Sequence, residues 1–361
     1  MDFEFSPDAL MLRDMLRKFV QKDARPLEMA YFTSGSLRPE ESARLRSAIE
    51  QLGLWGATIP EKFGGGGLDC VTACVIEEEL GGTFVPIELG EVPALLYECS
   101  QDQAGRFLEL AVSGKRRALV AAREPGAVRP EAWTATAERA REGFELRGKK
   151  NFAGPAAPED FFLVLARAPE GLSAFLVEQG TVGVEILPAG VLALEGGAGS
   201  ILGKPGHALA SYRDEAARGW IRLGARYVGI ADRLRQMALE HARDWVALGE
   251  PLSFRPAVQR MLAEISVDVE SIRWLVYHAA WLADRGESLR LAAAQARLAT
   301  GEMLQRTIDR VTMIYGGPGP APEILPQRMA RIAVPPETLE LALEYARSAV
   351  VAEVLSPQSE R

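Results

Sequence analysis

A chain of 361 residues, 48% hydrophobic and 25% charged, has the composition of an ordinary globular protein of about two or three domain-sized units. A formal net charge of −8 at pH 7 excludes nucleic acid as an expected partner, because phosphate binding needs a basic face. No apolar run approaches the roughly 18 residues of a membrane span. The opening MDFEFSPDAL lacks the basic region and apolar core of a signal peptide, so a cytoplasmic location is expected.

From Ser6 to about Ser113 the pattern is helical. Leu10, Leu12, Met15, Leu16 and Phe19 recur mostly at three- and four-residue steps, and Pro7 and Asp8 sit near a helix start. Leu52 to Asp69 forms a glycine-rich connection, LGLWGATIPEKFGGGGLD, with no G-K-[ST] after it to make a phosphate cradle. The three cysteines, Cys70, Cys74 and Cys99, are few and odd in number, which suits a reducing compartment. Cys70 and Cys74 lie one helical turn apart, but His207, His241 and His278 are all remote in sequence. No metal site is expected, and the thiols read as buried structural groups.

Between Arg116 and roughly Ala210 the texture changes. Short runs such as RALVAAR, DFFLVLAR, SAFLVE and VGVEILP are separated by Pro/Gly turns, which predicts a small β-sandwich or barrel. Lys115-Arg116-Arg117, just before it, reads as a solvated turn or as an attractor for a CoA phosphate. From about Arg218 the chain is helical again. Val258, Leu262, Ile265, Val269, Ile272 and Val276 form one stripe, and Ile221, Gly224, Val228 and Ala231 another, as in a helix-bundle core. Gly316 to Pro320 interrupts the bundle, and a last helix is predicted from about Pro336 to Leu355.

Two stretches carry a resemblance. AAREPGAVRP, Ala121 to Pro130, is similar to A-x-T-E-P-G-A-G-S-D, and GKKNFAG, Gly148 to Gly154, to G-x-K-x-W-I-[TS]-N-G; both are flavin-binding segments of the acyl-CoA dehydrogenases. The glycine-rich connection resembles that family's G-L-L-G-I-x-V-P-E-x-Y-G-G-L-G-L-D, and the likeness covers essentially the whole chain. It implies a mainly α fold with a central β-domain: N-terminal helical domain 1–115, middle β-sandwich or barrel 116–212, and C-terminal four-helix bundle 213–361. It also implies FAD, an acyl-CoA substrate, an assembly of subunits, and an α,β-desaturation in which a carboxylate base takes the α-proton.

The cofactor positions that this resemblance implies are Arg123, Pro125, Gly126, Ala127, Phe152, Gly154, Trp245, Gly249, Met313, Gly316 and Gly317. Several depart from the family pattern. Arg123 stands for a Thr, Gly154 for a Thr or Ser, Phe152 for a Trp, and Val128-Arg129-Pro130 for Gly-Ser-Asp. Arg123 can either hydrogen-bond the pyrimidine edge of a flavin or fill the ring site itself. Trp245-Val246-Ala247-Leu248-Gly249 falls on R-x-x-F-G, so the diphosphate-binding Arg has become Trp245. Arg243 is two residues earlier, about 200° round a helix. Pro256 and Met313 replace two Gln residues. A lost charge-assisted bond costs on the order of 1.5–3 kcal/mol, so FAD is expected to be weak, shared with a partner subunit, or absent in the isolated chain.

Arg328 and Arg331 match R-x-x-R-D-A, but the base-bearing Y-E-G-T loop that follows is absent. The base falls on Glu340 without a gap and near Pro335 to Glu337 with one, leaving Glu337 and Glu340 as candidates. These losses suggest a subunit working beside an intact paralogue, an arrangement found in bacterial family members acting on bulky CoA esters. A self-sufficient homo-oligomeric flavoprotein (dehydrogenase, oxidase or monooxygenase relative) and a non-catalytic acyl-CoA-binding scaffold are the alternatives.

Overall fold

The structure, a computed structural model, describes residues 4–127, 129–141, 143–317 and 336–355. Arg328, Arg331 and the other residues from 318 to 335 lie outside the described residues. The described chain divides into two compact units, Met1–Ala48 with Asp69–Ile87 and Ala217–Arg361, and Ile49–Leu68 with Glu88–Ala216.

The first unit is helical. α1 (Pro7–Phe19) starts where the Ser6 hydroxyl accepts from the Ala9 N–H at 3.2 Å, with Pro7 at its first turn. Its buried face runs through Ala9, Leu16 and Phe19, so Leu10 of the predicted stripe is 37% exposed. α2 (Glu28–Ser34) and α3 (Pro39–Gln51) follow, then α4 (Cys70–Leu80). Both carboxylates at the start of α4 serve its free N–H groups: Asp69 accepts from Thr72 at 2.7 Å, and Asp284 accepts from Cys70 and Val71 at 2.6 and 3.0 Å. Cys70 and Cys74 are both buried, as expected.

The long helices are α7 (Ala208–Asp244), α8 (Pro256–Asp284), α9 (Arg290–Tyr315) and α10 (Pro336–Leu355); before them in sequence, after α4, come the short α5 (Gln101–Gln103) and α6 (Glu109–Val112) of the second unit. α10 occupies the predicted span. Both predicted stripes are core: Ile221, Val228, Ala231, Val258, Ile265, Val269 and Val276 are buried in one cluster, with Leu262 and Ile272 packed against it. α4 crosses α7 with almost no separation. A Cβ on Gly229 would sit 1.9 Å from the Glu78 carbonyl oxygen, and one on Gly81 would sit 2.4 Å from that of Arg226.

The second unit holds a seven-stranded sheet: β1 (Ala118–Ala121), β2 (Thr136–Arg139), β3 (Phe144–Asn151), β4 (Phe161–Ala168), β5 (Gly171–Glu178), β6 (Val184–Leu187) and β7 (Val191–Leu202). Pairings run β4–β2–β3–β7–β5 and back to β4, so five strands close a ring, with β1 beside β4 and β6 beside β7. The barrel reading of the sequence therefore holds. β4 is apolar without alternation because both its faces are covered. Phe162, Val164 and Ala166 share one cluster with Phe144, Leu146, Phe175 and Leu192; Phe161, Leu163 and Leu165 share another with Leu96, Phe107 and Trp133.

The glycines of GGAGS lie inside β7, where neighbours need their space: a Cβ on Gly199 would meet Leu146 Cδ1 at 2.2 Å. Arg116 and Arg117 form no free basic patch. Arg116 pairs with Glu178 at 2.5 Å and donates to the Glu159 carbonyl, while Arg117 pairs with the buried Asp160 at 2.7 Å, fastening β1 and β4 at their start.

Candidate functional site

The first flavin-like motif is a loop leaving β1, and its retained glutamate points inward. Glu124 is 9% exposed and accepts four donors: the Thr134 N–H at 2.8 Å, the Thr134 hydroxyl at 3.0 Å, the Ala135 N–H at 2.8 Å and the Lys150 ammonium at 2.9 Å. Lys150, the lysine of the second motif, is 0% exposed, donates also to the Ala122 carbonyl at 3.0 Å, and lies 4.7 Å from the centre of the Trp133 ring. The Trp133 indole donates to the Ala127 carbonyl at 3.2 Å. The loop is thus held at both ends, Ala122 by Lys150 and Ala127 by Trp133. Burial alone would raise the Glu124 carboxyl, but the Ala135 and Thr134 N–H groups and the Lys150 charge outweigh it and keep it below the usual range. Burial pushes the Lys150 ammonium down to about 8 despite that partner.

The outward side of the loop carries one altered residue, Arg123, and two that match the family pattern, Pro125 and Gly126. Arg123, Pro125 and Gly126 are exposed, and among the described residues the Arg123 guanidinium has no partner. Its main chain bridges to Asn151, whose N–H donates to the Arg123 carbonyl at 2.7 Å, so the two motifs are joined backbone to backbone. Gly126 (φ 75°) and Gly154 (φ 84°) have open space where a Cβ would be. Gly154 therefore lies in the left-handed region, where a Thr or Ser would be strained. Phe152, which stands where the family pattern has Trp, is 9% exposed and packs in the barrel core, edge-to-face with Phe162 at 5.1 Å.

The remaining cofactor candidates are in the helical unit. α7 ends in a hairpin of β8 (Val246–Ala247) and β9 (Glu250–Pro251), braced by Arg255, which donates to the Ala247 carbonyl at 2.8 Å. Its turn residues Leu248 (φ 53°) and Gly249 (φ 86°) both have positive φ, the pairing a two-residue hairpin turn requires. Leu248 is 95% and Trp245 55% exposed. Trp245 is layered on His241 at 5.5 Å, and His241 on Tyr315 at 4.1 Å, so an aromatic stack ties the end of α7 to the end of α9. Burial lowers the His241 imidazole, and its Nε2 has no hydrogen-bond partner among the described residues. Near the same end of α9 stand Met313, 60% exposed, and then Gly316 and Gly317, both in open space. Arg243 is exposed, on the same last turn of α7.

The donors available fit one side of a flavin better than the other. In the loop the Gly126 N–H and the free Arg123 guanidinium are the donors that could hold its ring, because Pro125 has no N–H and Ala127 donates to the Glu124 carbonyl at 3.1 Å. At the position that the resemblance matches to the diphosphate-binding Arg, the helical unit carries the indole of Trp245 rather than a cation. Glu337 and Glu340 both belong to α10, whose early side chains lie outside the described residues. The sequence reading missed Lys150 and Thr134. Lys150 was detectable in principle: Phe144, Leu146 and Lys150 share the inward register of β3, which placed an ammonium among core residues.

Residues 6–115 match the acyl-CoA dehydrogenase N-terminal domain and residues 213–355 the acyl-CoA dehydrogenase C-terminal domain. The (R)-benzylsuccinyl-CoA dehydrogenase of Thauera aromatica is 28% identical over 395 residues, covering 99% of this chain and 97% of that protein. The glutaryl-CoA dehydrogenase of Desulfococcus multivorans is 27% identical over 363 residues, covering 92% of each. Among solved structures, glutaryl-coenzyme A dehydrogenase in complex with glutaryl-CoA superposes with a TM-score of 0.87 at 25% identity, covering 100% of this chain and 98% of that one. Together with the helix–barrel–helix order, these matches place the chain in the acyl-CoA dehydrogenase family of FAD-dependent oxidoreductases.

Proposed function

We propose that this chain is an acyl-CoA dehydrogenase-type subunit taking part in the α,β-desaturation of an acyl-CoA thioester beside an intact paralogous subunit, with the chain divided at about residues 115 and 212. One observation carries the reading. The inward half of the flavin-like loop (Glu124, Lys150, Trp133) is fully hydrogen-bonded, while the outward positions Arg123, Gly154, Trp245 and Met313 have lost the donors and the cation of the family pattern. The scaffold is maintained and the grip is reduced.

FAD supplies the hydride-accepting chemistry in this family. Toward it, this chain's Arg123 guanidinium and the Gly126 N–H act as ring-side donors, since Pro125 has no N–H and that of Ala127 is donated to the Glu124 carbonyl at 3.1 Å, and Gly249, Gly316 and Gly317 leave room for close approach. Phe152 supports the loop from inside the barrel. Glu337, or Glu340 one turn later, is the candidate base; the paralogue's glutamate takes that part if neither serves.

The test is the visible spectrum of the purified chain. Well under one FAD per subunit is expected. Four absent contacts, even at about 1 kcal/mol each, weaken binding roughly a thousandfold. Trp245→Arg with Arg123→Thr is expected to raise FAD uptake. Gly154 is left alone because its positive φ would strain a hydroxyl residue. Tight stoichiometric FAD in the unmodified chain would overturn the reading and favour the self-sufficient flavoprotein, for which the free Arg123 guanidinium is the supporting observation.

A further inference from the structure

Within the helical unit, α1, α4, α7 and α8 enclose a pocket of about 490 Å³, inside the size range of small-molecule sites. Its four carboxylates are all matched. Glu78 accepts from Arg273 and from the Tyr277 hydroxyl, each at 2.9 Å, and Glu270 pairs with the same Arg273. Glu79 accepts from Arg17 at 2.7 Å, and Asp232 from Arg235 at 2.5 Å and Gln236 at 2.8 Å.

Three guanidiniums in the wall remain without such a match. Arg25 donates only its Nε, to the Gly82 carbonyl at 3.1 Å. Arg13 meets only Asp14 of its own helix, at 3.9 Å, and its Nε is buried without a hydrogen bond. The Nε of Arg233 is likewise buried and without an acceptor. Burial first, and then the Arg233 charge, push the Arg25 guanidinium below its usual value, with Glu28 and Glu240 opposing. Burial raises the Glu28 carboxyl, outweighing the nearby Arg233 and Arg25 charges that lower it; its hydrogen bond is to the Thr83 hydroxyl at 2.9 Å, not to either guanidinium.

Buried donors without acceptors are rare in native proteins. Two of them, beside a third unmatched guanidinium in one open pocket, call for an acceptor from outside the chain. We infer that this pocket binds a small molecule bearing a phosphoryl group, with Arg13, Arg25 and Arg233 as its anion ligands and the ring of Trp274 at the wall for its uncharged part. A phosphoryl group fits better than a monocarboxylate, because guanidinium forks match its oxygens and its higher charge answers three cations. This assignment rests on the helical unit alone and is independent of the flavin reading.

Calorimetric titration of the full chain with inorganic pyrophosphate, and separately with ADP, at low salt tests it. The expected result is saturable one-site binding that falls at least tenfold in Arg233→Gln and in Arg25→Gln and persists in Arg123→Ser. Thermal melting supplies a second readout: pyrophosphate should raise the melting temperature of the unmodified chain and not that of Arg233→Gln. Should either Gln variant fail to fold, Arg233→Lys keeps the charge without the fork and is expected to bind several-fold more weakly. Absence of saturable heat and of a thermal shift with both probes overturns the proposal, as does binding unchanged by Arg233→Gln. Binding abolished by Arg123→Ser would assign the anion to the flavin loop instead, and equal binding of citrate would overturn the phosphoryl assignment.

Discussion

The Glu124–Lys150 pair sets the loop that bears the candidate flavin contacts, and each partner is unfavourable alone. An ammonium with no exposed surface and a carboxylate at 9% can stay charged only while they share a hydrogen bond. Glu124→Gln is expected to destabilise the chain by about 3 kcal/mol at pH 7, since it leaves Lys150 uncompensated. The carboxyl is held below its ordinary 4.5. Its contribution is therefore complete above that value and is lost as pH falls through the lower, folded-state value. Urea unfolding of both proteins should show their difference shrinking below pH 4.5; a constant difference would contradict the assignment. The lysine works in the opposite range. With its folded value at about 8 against an ordinary 10.5, the unfolded chain holds more protons between those limits, and stability attributable to Lys150 rises with pH there.

Among the elements, the α4–α7 crossing shows how a sequence pattern can be right and still leave its reason unstated. Gly224 was read as one member of an apolar stripe, yet Gly229, five residues later, fixes the helix approach. Gly229→Ala places a methyl 1.9 Å from the Glu78 carbonyl oxygen, and neither backbone can give way without moving a helix. A loss of roughly 3 kcal/mol or more is expected, well beyond the small helix-propensity gain of alanine; thermal unfolding with an unchanged or higher melting temperature would refute the close crossing. The hairpin after α7 is the other case. WVALGEP gives no alternating pattern long enough to predict strands, and the turn emerges only because Leu248 and Gly249 both take positive φ. The same turn leaves Leu248 and Trp245 exposed, where the family pattern has Phe and Arg.

For the molecule as a whole, α8 carries Val267, Trp274 and Trp281 at seven-residue spacing, 65%, 42% and 42% exposed. Apolar residues at that interval form a seam suited to another helix. The chain is therefore expected to be at least a dimer by light scattering at micromolar concentration, and Trp281→Glu to shift it toward monomer. A monomeric wild type, unchanged by addition of a paralogous subunit, would contradict both the seam and the shared-subunit reading.

What the sequence determined by itself was everything set by periodicity and local chain chemistry. Helices at 3.6-residue spacing bury stripes, strands end at Gly/Pro turns, α10 starts at Pro336, and the helical segments on either side of the β-region carry the family's signature over residues 6–115 and 213–355. These features depend on neighbours within a few residues. The tertiary structure decided what depends on partners far along the chain: Glu124 facing Lys150 across 26 positions, Arg117 meeting Asp160 across 43, and Phe152 turned into the barrel. It also brought Arg13, Arg25 and Arg233 to one pocket from three separate elements. A guanidinium's spacing says that it is charged; only the packing of other helices says whether a carboxylate will reach it.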